Sequence, residues 1–228
     1  MLTRPHVRLS GTQAAATVVV SVAGIAGLYQ AMVRTLAGQA FDQAAMTRIA
    51  ALSPRVRVLA AEFLSPITPV TFGAALAVLA LLALAQRRPV AALGALGAVV
   101  GSVLTAELLK EVLTRPEIAG HTMDNSFPSG HVAGVAALVA AAVIVAPHRA
   151  RRFVRDAGVL LIGAAGVSVV ALQWHRPSDV AASALVALAW GAAGLWATDR
   201  AERTVYRRAA GSSATASRST ETRMLVGS

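Results

Sequence analysis

The sequence predicts an all-α fold, a six-span transmembrane helix bundle with a short extracytoplasmic helical segment between spans 1 and 2. Three observations predict it. Apolar types make up 56% of the 228 residues and charged types only 14%, whereas a soluble domain carries about a quarter charged residues. The mean hydropathy is +0.62. Charge-free stretches recur along the chain, each close to the ~20 residues that carry a helix across the hydrocarbon core. Lipid offers the backbone no hydrogen-bond partner, so helices are the economical solution. A transmembrane barrel would need shorter, alternating segments.

The elements follow in order. Residues 9–33 lie between Arg8 and Arg34. They read as a retained anchor, because the stretch is long and no small-residue cleavage site closes its apolar core. Residues 35–62 mix apolar types with Asp42, Arg48, Arg55 and Arg57, and Pro54 divides them. They read as one or two short helices on the outer surface. Spans two and three are residues 63–86 and 89–106, separated by Arg87 and Arg88. Span four is residues 132–147, long enough only if it begins near Ser129. Spans five and six are residues 157–174 and 180–198. The apolar runs carry no polar face, which fits burial in lipid or in a bundle better than a surface helix. Residues 1–208 then form one membrane domain. From Ala209 the chain is rich in Ser, Thr, Ala and Gly, and residues 209–228 read as a disordered cytoplasmic tail. There is no internal repeat.

Charge and cysteine exclude several classes. The chain has no cysteine, so disulfide frameworks, thiolate metal sites and a cysteine nucleophile are ruled out. The net charge of +10 would suit nucleic acid, but with 4% aromatic residues there are too few stacking platforms for that reading. Six spans put both termini on one side. If that side is the cytoplasm, it holds 14 of the 21 cations, as the positive-inside rule requires. The arginines then orient the protein and meet anionic headgroups. Trp174, Trp190 and Trp196 read as interfacial anchors. A transporter would carry charge at mid-span, and these spans do not.

This topology gathers the remaining polar residues on the outer face. Span three ends at Glu107, Lys110 and Arg115. Span four begins at Pro128, Ser129, Gly130 and His131. Span five ends at Trp174, His175 and Arg176, and span six begins at Asp179. His121 and Asp124 lie in the adjoining loop and read as solvated. Lys110 is the only lysine in the chain, a compact point charge in a sequence that otherwise uses arginine. It stands one turn from Glu107, an expected ion pair. Ser129 can cap span four, with Gly130 admitting a ligand close to free backbone amides, an arrangement that binds anions. Two nearby cations suit a phosphate. Asp179, four residues after His175, can accept from one ring nitrogen and leave the other as a nucleophile. His131 is then the general acid. Together these groups imply phosphoryl transfer through a phosphohistidine.

The stretches Lys110-Glu-Val-Leu-Thr-Arg115-Pro116, Pro128-Ser129-Gly130-His131 and His175-Arg-Pro-Ser-Asp179 resemble the three signatures of the type 2 phosphatidic acid phosphatase superfamily. The resemblance covers about Lys110 to Asp179, and three motifs in order at the ends of the right helices are far more specific than one. It implies phosphate-binding roles for Lys110, Arg115, Ser129 and Gly130, with His131 as general acid, His175 as nucleophile and Asp179 as its partner. It implies no metal and no cofactor. Hydropathy selects the superfamily's integral-membrane lipid phosphatases over its soluble vanadium haloperoxidases. The third signature normally opens with Ser-Arg, six residues before the nucleophile. Here Ser168 and Val169 stand there, and Arg176 is the candidate replacement cation. The expected activity is hydrolysis of a lipid phosphate or pyrophosphate at the outer leaflet, on phosphatidate, phosphatidylglycerophosphate or undecaprenyl pyrophosphate. The alternatives are a lipid phosphotransferase and a non-catalytic lipid-binding relative.

Overall fold

The computed structural model describes residues 9–116, 118 and 125–226, with side chains described as far as residue 205. His121 and Asp124 lie outside the described residues. Among the described residues the chain is helical and forms no strand. Its helices are α1 (Gly11–Leu28, continued as a π-helical turn over Tyr29–Val33), α2 (Leu36–Ala50), α3 (Pro54–Leu64), α4 (Pro69–Ala85), α5 (Pro89–Val112), α6 (Gly130–Val145), α7 (Arg151–Ala171) and α8 (Pro177–Val226).

Local chemistry sets these boundaries. Ser10 opens α1 with a capping box to Gln13, and Thr68 does the same for α4 with Thr71. Thr35 and Ser53 cap α2 and α3. Proline occupies the first helical positions of α3, α4 and α5, where its missing N–H costs nothing and its φ is already helical. The proline divider at Pro54 therefore splits the segment between spans 1 and 2 into two helices, α2 and α3.

Every apolar stretch forms a helix, and by length and apolarity alone four helices, or five, reach a full span where the sequence predicts six. Four helices are long and apolar enough to cross a membrane alone: Gly11–Val33, Pro89–Val112, Arg151–Ala171 and Pro177–Val205. A fifth is reached if α3 and α4, bent by 57° at their junction, count as one broken span. With 17 residues in α4 and 16 in α6, both fall short of the ~20 a straight span uses. Pro69 starts α4 late and Pro147 stops α6 early. α8 continues as helix past Ala209 to Val226. The Ala, Arg, Glu and Met of that segment are good helix formers, and extending a nucleated helix is cheap.

α5, α6 and α8 pack most closely, α1 lies along α8, and α4 and α7 flank α6. Small residues let the backbones approach. A Cβ on Gly101 would come within 2.5 Å of the Trp190 ring, and one on Gly158 within 2.2 Å of Val139. Such seams suit association inside lipid, where apolar burial gives no net drive and contact quality decides. The outward faces keep large apolar side chains exposed, among them Val20 at 66%, Leu93 at 69% and Leu160 at 76%. A protein in water does not leave such a continuous apolar exterior uncovered.

One end of the bundle is tied by arginines. Arg88 donates to the carbonyl of Val145 and pairs with Glu202 at 2.9 Å. Arg151 makes a two-pronged contact with Asp199 at 3.1 and 3.2 Å and reaches the Ala146 carbonyl. The two guanidiniums thus satisfy carbonyls that the end of α6 leaves free. At the other end lie the C-termini of α5 and α7, the N-termini of α6 and α8, and the α2–α3 segment. Trp196 stacks under Arg200 at the arginine-tied end. Trp190 stands about 20 Å along α8 from Pro177 at 1.5 Å per residue and bonds Thr105 on α5.

Candidate active site

Asp179 is the hub of the site. It lies in the first turn of α8 and is fully buried. Its Oδ1 accepts from Arg115 Nη2 at 2.9 Å. Its Oδ2 accepts from the Ser126 hydroxyl at 2.5 Å and from the Arg176 amide at 2.9 Å. The Asp179 carbonyl accepts from the amide of Ser129 at 3.2 Å, and the Ser183 hydroxyl bridges the carbonyls of both. One carboxylate thus fastens the α5–α6 link, the N-terminus of α6 and the α7–α8 turn together.

His175 sits beside it, but not in the manner the spacing implies. Its Nδ1 is 3.6 Å from Asp179 Oδ2, too long for a hydrogen bond. Asp179 Oδ2 is already occupied by Ser126 and Arg176. Nδ1 lies instead 3.1 Å from the carbonyl of Ser126. A carbonyl only accepts, so in the neutral ring the proton is on Nδ1 and the lone pair on Nε2. The carboxylate supports that tautomer electrostatically from the second position. The chain turns back at this point, with Gln173 at φ 60° and the amides of Trp174 and His175 both bonded to the Val169 carbonyl.

His131, in the first turn of α6, has its ring centroid 6.5 Å from that of His175 and 5.5 Å from that of Trp174. Ser129 caps α6, its hydroxyl accepting weakly from Val132 at 3.4 Å. Lys110 pairs with Glu107 at 2.7 Å, one turn apart on α5. A Cβ on Gly130 would lie 3.0 Å from Lys110 Nζ, so the ammonium reaches the start of α6 because that residue has no side chain. Asn125 donates to the carbonyls of Lys110 and Leu113, fastening the end of α5.

Two guanidiniums complete the site. The Arg115 side chain is 5% exposed and Arg176 is 4% exposed. Nε and Nη1 of each have no hydrogen-bond partner among the described residues. Buried charged donors without acceptors are costly, and a planar fork of this kind matches phosphate oxygens. Burial pushes the Arg176 pKa below the usual arginine value and Arg115 adds to that, while Asp179 and Asp42 oppose it. Val169, where the expected cation is missing, is fully buried in an apolar cluster with Val132, Met46 and Leu64. A guanidinium there would displace that packing. Among the described residues no group of three or more His, Asp or Glu side chains is placed to hold a metal ion.

The structure therefore brings Lys110, Arg115, Ser129, Gly130, His131, His175, Arg176 and Asp179 to one end of the bundle. Sequence reasoning missed Ser126, Asn125 and Ser183, polar residues with no chemistry of their own to draw notice. It also missed Asp42 of α2, which accepts from the Ser178 amide at 3.1 Å and from the Ser178 hydroxyl. The available signal was that Asp42 is the only acidic residue before Glu62.

No curated protein and no solved structure matches the chain. A family model does: residues 68–203 match the PAP2 superfamily. The match starts at the cap of α4, ends within α8 and contains all eight residues that converge at the site, while α1 to α3 lie before it. Covering more than half of the chain and every one of its three polar signatures, this match establishes that the protein belongs to the PAP2 superfamily.

Proposed function

We propose that the protein is a membrane phosphatase that hydrolyses a lipid phosphate or pyrophosphate through a phosphohistidine. Membership of the superfamily supports phosphatase chemistry on phosphate esters. The observation that carries the finer reading is the pairing of two imidazoles beside two buried guanidiniums. The ring centroids of His131 and His175 lie 6.5 Å apart, close enough for both imidazoles to address one phosphoryl group, one as nucleophile and one as acid on the leaving oxygen. In this reading Arg115, Arg176 and Lys110, with the amides at the start of α6, hold the phosphoryl oxygens. His175 Nε2 attacks phosphorus as the ester P–O bond breaks, and the leaving oxygen takes its proton from His131. Water then attacks phosphorus and gives its proton to His131, the P–N bond breaks with its electron pair returning to His175 Nε2, and orthophosphate leaves. Asp179 and the Ser126 carbonyl hold His175 in the reactive tautomer throughout.

The exposed apolar faces of α1, α5 and α7 support a bilayer setting, with the acyl or prenyl tail between helices and the headgroup at the imidazoles. The six-helix topology, with α4 and α6 as short spans, and the arginine bias favour cytoplasmic termini and an extracytoplasmic site. The test is phosphate release by purified protein from phosphatidate, phosphatidylglycerophosphate and undecaprenyl pyrophosphate. Release from one of them, lost in His175→Ala, is expected. Undiminished release by that variant would overturn the nucleophile assignment. Vanadate should inhibit as a phosphate mimic and EDTA should leave activity intact; strict metal dependence would contradict the mechanism. Val169 favours a second reading, a non-catalytic anionic-lipid binder, which predicts no difference in phosphate release between wild type and His131→Ala.

A further inference from the structure

Asp42 belongs to α2, outside the region shared with the superfamily. A lone aspartate on a short surface helix should be solvated, yet Asp42 is 1% exposed. Oδ1 accepts the Ser178 amide at 3.1 Å and Oδ2 accepts the Ser178 hydroxyl. Ser178 lies in the first turn of α8, beside Asp179, where backbone amides lack intrahelical acceptors and negative charge is favoured. The contact joins residues 136 apart in sequence.

The charged groups that face Asp42 are Asp179 on α8, Arg115 on the α5–α6 link and Arg176 at the α7–α8 turn. Asp179 is spent on Arg115. Among the described residues Arg176 keeps two buried donors without acceptors, and Asp42 is the second carboxylate acting on it. Among the described residues these two cations and two carboxylates balance one another before an anion enters. The missing cation at Val169 and the buried carboxylate of Asp42 are thus two sides of one arrangement: the replacement arginine comes with its own counter-charge.

We infer that Asp42 is a positioning residue of the phosphate site, clamping the first turn of α8 and offsetting Arg176 so that a bound phosphate is held loosely enough to leave. This inference rests on the phosphate-binding reading of the site. The experiment is titration of inorganic phosphate into the purified full chain in detergent, for wild type and Asp42→Asn, from pH 7 down to pH 4. Losing one negative charge from a buried cluster should tighten phosphate binding about tenfold at pH 7. Turnover should fall as product is retained. The affinity ratio should approach one as the pH falls and Asp42 protonates in the wild type. A merely structural role would lower the amount of binding protein without tightening binding, and equal or weaker affinity in Asp42→Asn overturns the inference. If that variant does not fold, the cause is the amide's failure to replace both carboxylate contacts to Ser178. Ser178→Ala, which removes one of those contacts and keeps the Asp42 charge, should then leave phosphate affinity at the wild-type level, and tighter binding in that variant overturns the inference. Wild type that binds phosphate but releases none from any lipid refutes the phosphatase reading and leaves this inference standing. Wild type that turns over lipid phosphate yet matches the variant in affinity refutes this inference alone.

Discussion

At the scale of residues, the arrangement of the site depends on groups that the motifs do not contain. The two histidines, Asp179, Lys110 and Arg115 were legible because rare polar types stand out in an apolar chain. The tautomer of His175 was not, because the carbonyl that sets it belongs to Ser126, 49 residues away. The Arg115–Asp179 pair is 5% and 0% exposed, and breaking such a pair by removing one partner costs about 3–5 kcal/mol. Asp179→Ala should therefore unfold at markedly lower temperature in a detergent melt and lose at least about 100-fold in phosphate release. Ser126→Ala removes one hydrogen bond and should cost only about 1 kcal/mol. Asp42 carries a pH signature of its own. Burial raises its pKa above the ordinary carboxylate value, outweighing the lowering by its Ser178 hydrogen bonds. The folded protein therefore holds this proton more tightly than the unfolded chain does. The stability it confers is complete below the unfolded pKa of about 4 and is lost as pH rises through the folded value. Thermal midpoints of wild type should fall relative to Asp42→Asn across that window; parallel midpoints would refute the assignment.

At the scale of elements, α6 shows how a short helix can be functional. Its N-terminus presents Ser129, Gly130 and His131 to the site, and its C-terminal carbonyls are satisfied by Arg88 and Arg151 from neighbouring helices. Charge-free length alone predicted a span here. The prolines that bracket the segment explain why the helix has only 16 residues. Arg88→Ala strips partners from the Val145 carbonyl and Glu202 at the end of the bundle remote from the histidines. It should lower the melting temperature while leaving the KM for the substrate unchanged; an altered KM would show that the two ends are coupled. The seam between α5 and α8 makes a second prediction. Gly101→Leu must drive the Trp190 ring away and break its hydrogen bond to Thr105, costing about 1–3 kcal/mol by overpacking. The unfolding temperature of purified variants measures it, and a neutral result would mean the seam is loose.

At the scale of the whole molecule, the cysteine-free chain allows topology to be read by single cysteines. Ser65 and Gln86 are exposed and lie at opposite ends of α4. If the site is extracytoplasmic, Ser65→Cys should react with a membrane-impermeant maleimide in intact cells, and Gln86→Cys only after permeabilisation. The reverse pattern would invert the proposed orientation. The sequence by itself determined the helical class, the apolar stretches that become the bundle and the residues of the three polar signatures, because hydropathy and helix punctuation are local properties and survive without a partner. Only the tertiary structure decided which helices are long enough to span, that Asp179 holds His175 through Ser126 and the turn rather than directly, that Arg176 is buried beside Arg115, and that Asp42 reaches across to α8. Each of those depends on contacts between residues tens to more than a hundred positions apart. Which buried donor meets which acceptor there is set by how the helices pack, not by what stands next to a residue in the chain.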